Sequence, residues 1–194
     1  MDTDEIIIKK LFKTLVFTPE ELKLIKSLFI KVSVSKGDIL MSPGDHVDSQ
    51  FYIIKGCLRT FHIDSHGKEY TIQFGIDDWW MSDYTAFFRG GTAIMTVEAL
   101  QDSHLYMINR ENKDYLYKQI PEIDKFFRIK LERAFGTFQR RILSSLSMSA
   151  AERYVDFMKY YPELAKCLKN YHIASYSGIT TESLSRIRKE LVYN

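Results

Sequence analysis

The chain has 194 residues, 45% of them hydrophobic and 27% charged, enough for one large domain or for a medium and a small one with their own cores. No run approaches the roughly 18 apolar residues that cross a bilayer, and the acidic opening Met1-Asp2-Thr3-Asp4-Glu5 lacks the positive start of a secretory signal, so no membrane association and a cytoplasmic location are expected. The net charge of +2 hides an asymmetry: residues 1–121 carry 14 basic against 17 acidic side chains, and residues 122–194 carry 13 against 8, which suits a sensor joined to a module that binds a polyanion.

The first thirty residues read as helix. Thr18-Pro19-Glu20-Glu21 is a helix start, with Thr18 as N-cap, Pro19 at the first helical position and Glu21 closing a capping box. From Ile30 to Ile108 the pattern changes to short β-branched or aromatic runs: 30–34, 39–41, 51–54, 57–63, 70–74, 94–97 and 104–108. Turn residues separate them, among them Lys36-Gly37-Asp38, Ser42-Pro43-Gly44-Asp45, Lys55-Gly56, Asp64-Ser65-His66-Gly67 and Arg89-Gly90-Gly91. Many short strands at even spacing argue for an antiparallel barrel or sandwich.

Beyond Arg110 the helical period returns. Ile123, Phe127, Leu131, Ala134, Phe138 and Ile142 recur three or four residues apart, an apolar stripe along one long helix. Such a stripe must lie on the barrel, on a partner helix or on both; a two-stranded coil in a homodimer is the reading favoured over packing within one chain. Ser149-Ala150-Ala151-Glu152 caps another helix that runs to Tyr161 and stops at Pro162. The resulting division is a barrel region over 1–118, the long helix over 119–147 and a helical tail over 148–194.

The segment from Ile173 to Lys189 carries the function. Ala174 is small enough for two helices to cross closely, and Gly178 supplies the positive φ of a tight turn. Thr180 is a good N-cap, and Ile179, Leu184 and Ile187 hold a second helix on the first. Together these describe a helix-turn-helix. Thr181, Glu182, Ser185, Arg186 and Lys189 are expected to point away from Leu184, Ile187 and Leu191. Arg186 can pair bidentately with guanine, and Glu182 can accept from a cytosine amine. Thr180, Thr181 and Ser183 sit at the helix N-terminus, where amides and hydroxyls suit phosphate oxygens. Double-stranded DNA is therefore the expected partner.

With these motifs in this order, the chain resembles the cyclic-AMP receptor protein and fumarate–nitrate regulator (CRP/FNR) superfamily of bacterial transcription factors, most of all the shorter forms. The resemblance is carried by Lys36-Gly37-Asp38, Pro43-Gly44-Asp45, Phe51-Tyr52-Ile53-Ile54-Lys55-Gly56, Gly67-Lys68-Glu69 and the helix-turn-helix. It implies an α+β fold: an antiparallel, jelly-roll-like β-roll of the cyclic-nucleotide-binding kind with flanking helices, a long dimerisation helix and a C-terminal helix-turn-helix domain. It also implies near-palindromic operators and RNA polymerase as a further partner. The family's base-contacting Glu and Arg fall on Glu182 and Arg186. The Arg that commonly precedes that Glu is Thr181 here, so the operator is expected to depart from the family consensus. Asn194 follows too soon for a C-terminal β-wing.

The sensor departs further. A cyclic-nucleotide binder clamps phosphate with a Gly-Glu pair before the short barrel helix and an Arg-Ser pair after it; the corresponding positions here read Met81-Ser82 and Ala93-Ile94. With no cation to balance a buried phosphate, cyclic AMP is not expected to bind. Trp80, Met81, Ser82, Ala93 and Ile94 then line either a pocket for an unknown hydrophobic effector or a collapsed core. Cys57 and Cys167 have no metal-ligand spacing, and His62, His66 and Glu69 do not fall on one inward face of a barrel. No nucleophile triad or paired acid and base is evident, so no cofactor, metal or enzymatic activity is expected. The rival to DNA binding is a ligand-sensing regulatory module that acts through a protein partner.

Overall fold

The structure, a computed structural model, describes residues 3–193; Met1, Asp2, Asn194 and the side chains of Cys167, Val192 and Tyr193 lie outside that description. Helices α1 (Thr3–Leu11) and α2 (Pro19–Leu28) precede strands β1 (Ile30–Val34), β2 (Ile39–Met41), β3 (Ser49–Lys55), β4 (Cys57–Ile63), β5 (Glu69–Ile76) and β6 (Trp80–Met81). One turn of helix, α3 (Tyr84–Phe87), leads to β7 (Thr96–Ala99) and β8 (Ser103–Asn109). The remainder is helical: α4 (Arg110–Gln119), α5 (Pro121–Ser147), α6 (Ala150–Tyr160), α7 (Pro162–Cys167), α8 (Asn170–Ser177) and α9 (Thr181–Tyr193). This is the α+β arrangement expected, a two-sheet β-roll with flanking helices, a long helix and a helix-turn-helix. The chain falls into two compact units, 1–60 with 75–133 and 61–74 with 134–194.

The strands form two four-stranded sheets, ordered β1-β8-β3-β6 and β2-β7-β4-β5. In the first unit, β3 and β8 are buried on both faces, and the period-two alternation of a strand divides their side chains between two cores. Phe51, Ile53 and Leu105 enter the roll interior with Leu58, Met81, Phe87 and Val97. Tyr52, Tyr106 and Ile108 point the other way, into a layer formed by Phe12, Ile25, Leu116 and Ile123 of the helices. Both tyrosines find acceptors for their hydroxyls: Tyr52 donates to Asp78 at 2.7 Å and Tyr106 to Asp4 at 2.8 Å. The Thr18–Glu21 capping box that starts α2 is formed in both directions, at 3.2 and 2.7 Å.

The start of α5 corrects one expectation. Ile123 is fully buried in the helical layer, and Phe127 packs against the same cluster, 5.0 Å from the Trp80 ring. Both residues lie on the expected dimerisation stripe, but their side chains serve the chain's own core. A stripe counted along one helix does not reveal which of its turns lie over their own domain.

In the second unit, α6 starts at a capping box between Ser149 and Glu152, and α6 and α9 both pack on α8. Tyr154, Phe157, Leu164, Ile173, Ala174, Leu184 and Ile187 are buried here. The tip of the β4–β5 hairpin belongs to this unit, its turn held by the Asp64 carboxylate, which accepts from the amides of His66 and Lys68.

Candidate nucleic-acid interface

The helix-turn-helix is built by local backbone chemistry. Gly178 ends α8 at φ 69°, and its amide donates to the carbonyls of Ala174 and Ser175. A Cβ on Gly178 would meet nothing within 4 Å, so the glycine is needed for its left-handed backbone and not for space. Thr180 caps the second helix, its hydroxyl accepting from the Ser183 amide at 3.2 Å. Ala174, Leu184 and Ile187 close the helix crossing with 2%, 1% and 8% of their surface exposed.

That crossing decides which side chains face outward. Thr180, Glu182, Ser185, Arg186 and Lys189 are exposed, and Thr181 and Ser183 are half-buried. Glu182, Ser185, Arg186 and Lys189 have the i, i+3, i+4, i+7 spacing of one helical stripe. Arg186 and Lys189 make no hydrogen bond or ion pair among the described residues. The Glu182 carboxyl is held below the usual range by its own backbone amide at the helix N-terminus, then by the Thr180 and Thr181 hydroxyls and nearby Arg186. It is therefore a charged acceptor at neutral pH. Arg188 is the contrast: it donates to Tyr154 Oη at 3.0 Å and Asn170 Oδ1 at 2.6 Å and lies over the Tyr154 ring. One arginine fastens the helix to its domain, and Arg186, two positions away, is left outward. Leu191, expected on the inner side, is 46% exposed.

Along α5, four residues of the expected dimerisation stripe are exposed: Leu131, Ala134, Phe138 and Ile142. The structure adds Phe135, 63% exposed, and Leu146, 80% exposed. Leu131, Phe135, Phe138 and Ile142 follow one another at intervals of four, three and four, the seam spacing of a coiled coil.

The five residues expected to line an effector pocket are not brought together. Trp80 packs toward the helical layer, against Phe29, Tyr52 and Phe127, while its neighbour Met81 fills the roll interior, as strand alternation requires. Ser82 donates to the Ser49 carbonyl at 2.9 Å, Ala93 is buried in the core and Ile94 is 55% exposed. The residue that organises this region, Asp83, was not singled out by the sequence. It is fully buried. One carboxylate oxygen accepts from the Thr85 and Ala86 amides and the Thr85 hydroxyl; the other accepts from the Ile94 and Met95 amides at 2.8 and 3.1 Å. Because those two amides turn toward Asp83, the strand expected to begin at Ile94 begins at Thr96. The buried cations of the roll are engaged as well. Arg59 pairs with Glu98 at 2.6 Å. Lys113 donates to Gln50 at 2.7 Å under the Phe127 ring, and burial pulls its pKa down to about 8.

Residues 31–119 match the cyclic nucleotide-binding domain family. Among solved structures, the chain is similar to the c-di-GMP-responsive global regulator CLP of Xanthomonas campestris, at 13% identity and a TM-score of 0.74 over 91% of this chain and 92% of that one. FixK2 of Bradyrhizobium japonicum gives 15% identity and 0.75 over 85% of each chain. A CooA variant of Carboxydothermus hydrogenoformans gives 15% and 0.74 over 100% of this chain and 86% of that one. No curated protein sequence matches the chain. The fold is that of the CRP/FNR-type regulators. Among the described residues, no helix is long and apolar enough to cross a membrane.

Proposed function

We propose that this protein is a cytoplasmic, homodimeric transcription regulator that reads double-stranded DNA with α9. The observation that carries the reading is the outward stripe Glu182–Ser185–Arg186–Lys189, exposed to solvent and presented by a capped helix beyond a glycine hinge. Arg186 reads guanine, Glu182 accepts from cytosine, and Lys189 meets phosphate, with Thr180, Thr181 and Ser183 at the helix N-terminus beside the backbone. The exposed seam Leu131–Phe135–Phe138–Ile142, joined by Ala134, pairs two copies and so sets two reading helices one duplex turn apart. The sensor, dimerisation helix and DNA-binding domain divide at 118/119 and 147/148, and RNA polymerase is the further partner of the bound dimer.

The sensor on this reading does not take cyclic AMP. An incoming phosphate would meet the buried Asp83 carboxylate, which already occupies the local amides, and Arg59 is paired with Glu98.

Selection of binding sites from random duplex DNA, followed by gel-shift titration across salt, tests the proposal. Affinity should fall steeply as salt rises. Arg186→Ala should lose about 1–3 kcal/mol of discrimination at one base pair, whereas Lys189→Ala should weaken all duplexes alike and flatten the salt slope. Salt-insensitive binding, or equal behaviour of the two variants, would remove α9 from the reading.

A further inference from the structure

The tip of the β4–β5 hairpin lies in the same unit as the helix-turn-helix, and its backbone is bonded to it. Ser175, in α8, donates its hydroxyl to the Glu69 carbonyl at 2.9 Å and accepts from the Thr71 amide at 2.9 Å. The Thr71 hydroxyl lies 3.0 Å from the same oxygen. Phe74, at the foot of the tip, packs against the rings of Phe157, His172 and Tyr176. Arg141, on α5, closes the arrangement. Its guanidinium donates to the carbonyls of Ile72, of Thr71 at 2.8 Å and of Tyr176 at 3.2 Å, and it lies 3.9 Å from the Tyr176 ring centre.

Several directional bonds from one guanidinium and one hydroxyl thus join three stretches of chain, α5, the hairpin and α8. A planar fork with fixed donor directions sets orientation as well as attraction. The hairpin's contacts with the helical domain fall on α8 and, through Phe157, on α6, while Glu182, Arg186 and Lys189 on α9 stay exposed, so the closed arrangement leaves the reading face clear. We propose that the hairpin tip is a strap that fixes the helix-turn-helix against the long helix in the DNA-reading state, with Arg141 as its positioning residue. This rests on the DNA-binding reading given above. In a dimer, the strap on each copy holds the two reading helices at one separation, so the protein discriminates half-site spacing as well as sequence.

The test compares the full-length protein with Arg141→Lys, which keeps the charge and loses the fork, and with Ser175→Ala. Each is titrated with the selected operator, with operators lengthened or shortened by one base pair between half-sites, and with a single half-site. The wild type should lose affinity sharply when the spacing changes. Arg141→Lys should bind the best-spaced operator about tenfold more weakly, since a loosened domain must be ordered on docking, with a flattened spacing profile and an unchanged single half-site affinity. An unaltered spacing profile would overturn the proposal. Tighter binding by the variants would overturn it too, because the strap would then be a brake. Hydrogen exchange provides a readout without DNA. The Thr71 amide should exchange faster in Ser175→Ala while the amides of α6 and α9 keep their protection; if Thr71 stays as protected as in the wild type, no strap exists. A wild type that binds no duplex, with Thr71 exchange accelerated as expected, refutes the DNA reading and with it the spacing role, leaving only the contact.

Discussion

The roll and α9 handle their polar groups in opposite ways. Inside the roll, Asp83 uses both oxygens on four amides and a hydroxyl, Arg59 is paired with Glu98, and Lys113 is bonded to Gln50 beneath an aromatic ring. On α9, Arg186 and Lys189 have no such partner among the described residues and stand in solvent with Ser185 and Glu182. A buried polar group without a partner destabilises a fold, so these three buried charged groups are held by partners within the roll. A surface that waits for another molecule does the reverse. The contrast supports placing the working face proposed above on α9.

Removing the Asp83 carboxylate should break the interior side of this contrast most severely. Asp83→Ala leaves the Thr85, Ala86, Ile94 and Met95 amides without their acceptor, and about 3–5 kcal/mol of stability should go, read as a lowered urea midpoint. A loss under about 1 kcal/mol would mean that water replaces the carboxylate and that the region is open, not closed. The outward side is probed by Phe138→Glu. A carboxylate in the proposed seam should weaken dimerisation by about 2–4 kcal/mol in sedimentation equilibrium while the monomer stays folded. An unchanged assembly would shift the interface off α5.

The smallest effect sharpens the interior side through pH. Folded Lys113 gives up its proton near pH 8, whereas the unfolded side chain holds its own to the ordinary value of 10.5. Between those values the unfolded state binds more protons, so this residue's contribution makes stability rise with pH across the window. The difference in unfolding free energy between wild type and Lys113→Met should therefore move in favour of the wild type by about 2 kcal/mol from pH 8 to 10. A flat difference would show that the aromatic rings and Gln50 keep the ammonium charged.

What the sequence made legible is what neighbouring residues decide. Thr18 with Glu21, Ser149 with Glu152, and Gly178 followed by Thr180 each satisfy helix ends within a few positions, so their meaning can be read without a fold. The strands 30–34, 39–41 and 57–63 were legible for the same reason, being bounded by turn residues. Asp83 was not legible: its acceptor role depends on Ile94 and Met95, eleven and twelve positions away. Trp80 and Met81 looked like neighbours in one pocket, but a strand sends adjacent side chains to opposite faces. Short-range hydrogen-bond geometry and hydrophobic period thus set the elements, their caps and the outward stripe of α9 from sequence alone. Which turns of α5 are covered, which carboxylate fills the roll and which hairpin straps α8 were settled by tertiary structure, because each depends on groups far apart in the chain meeting at bonding distance.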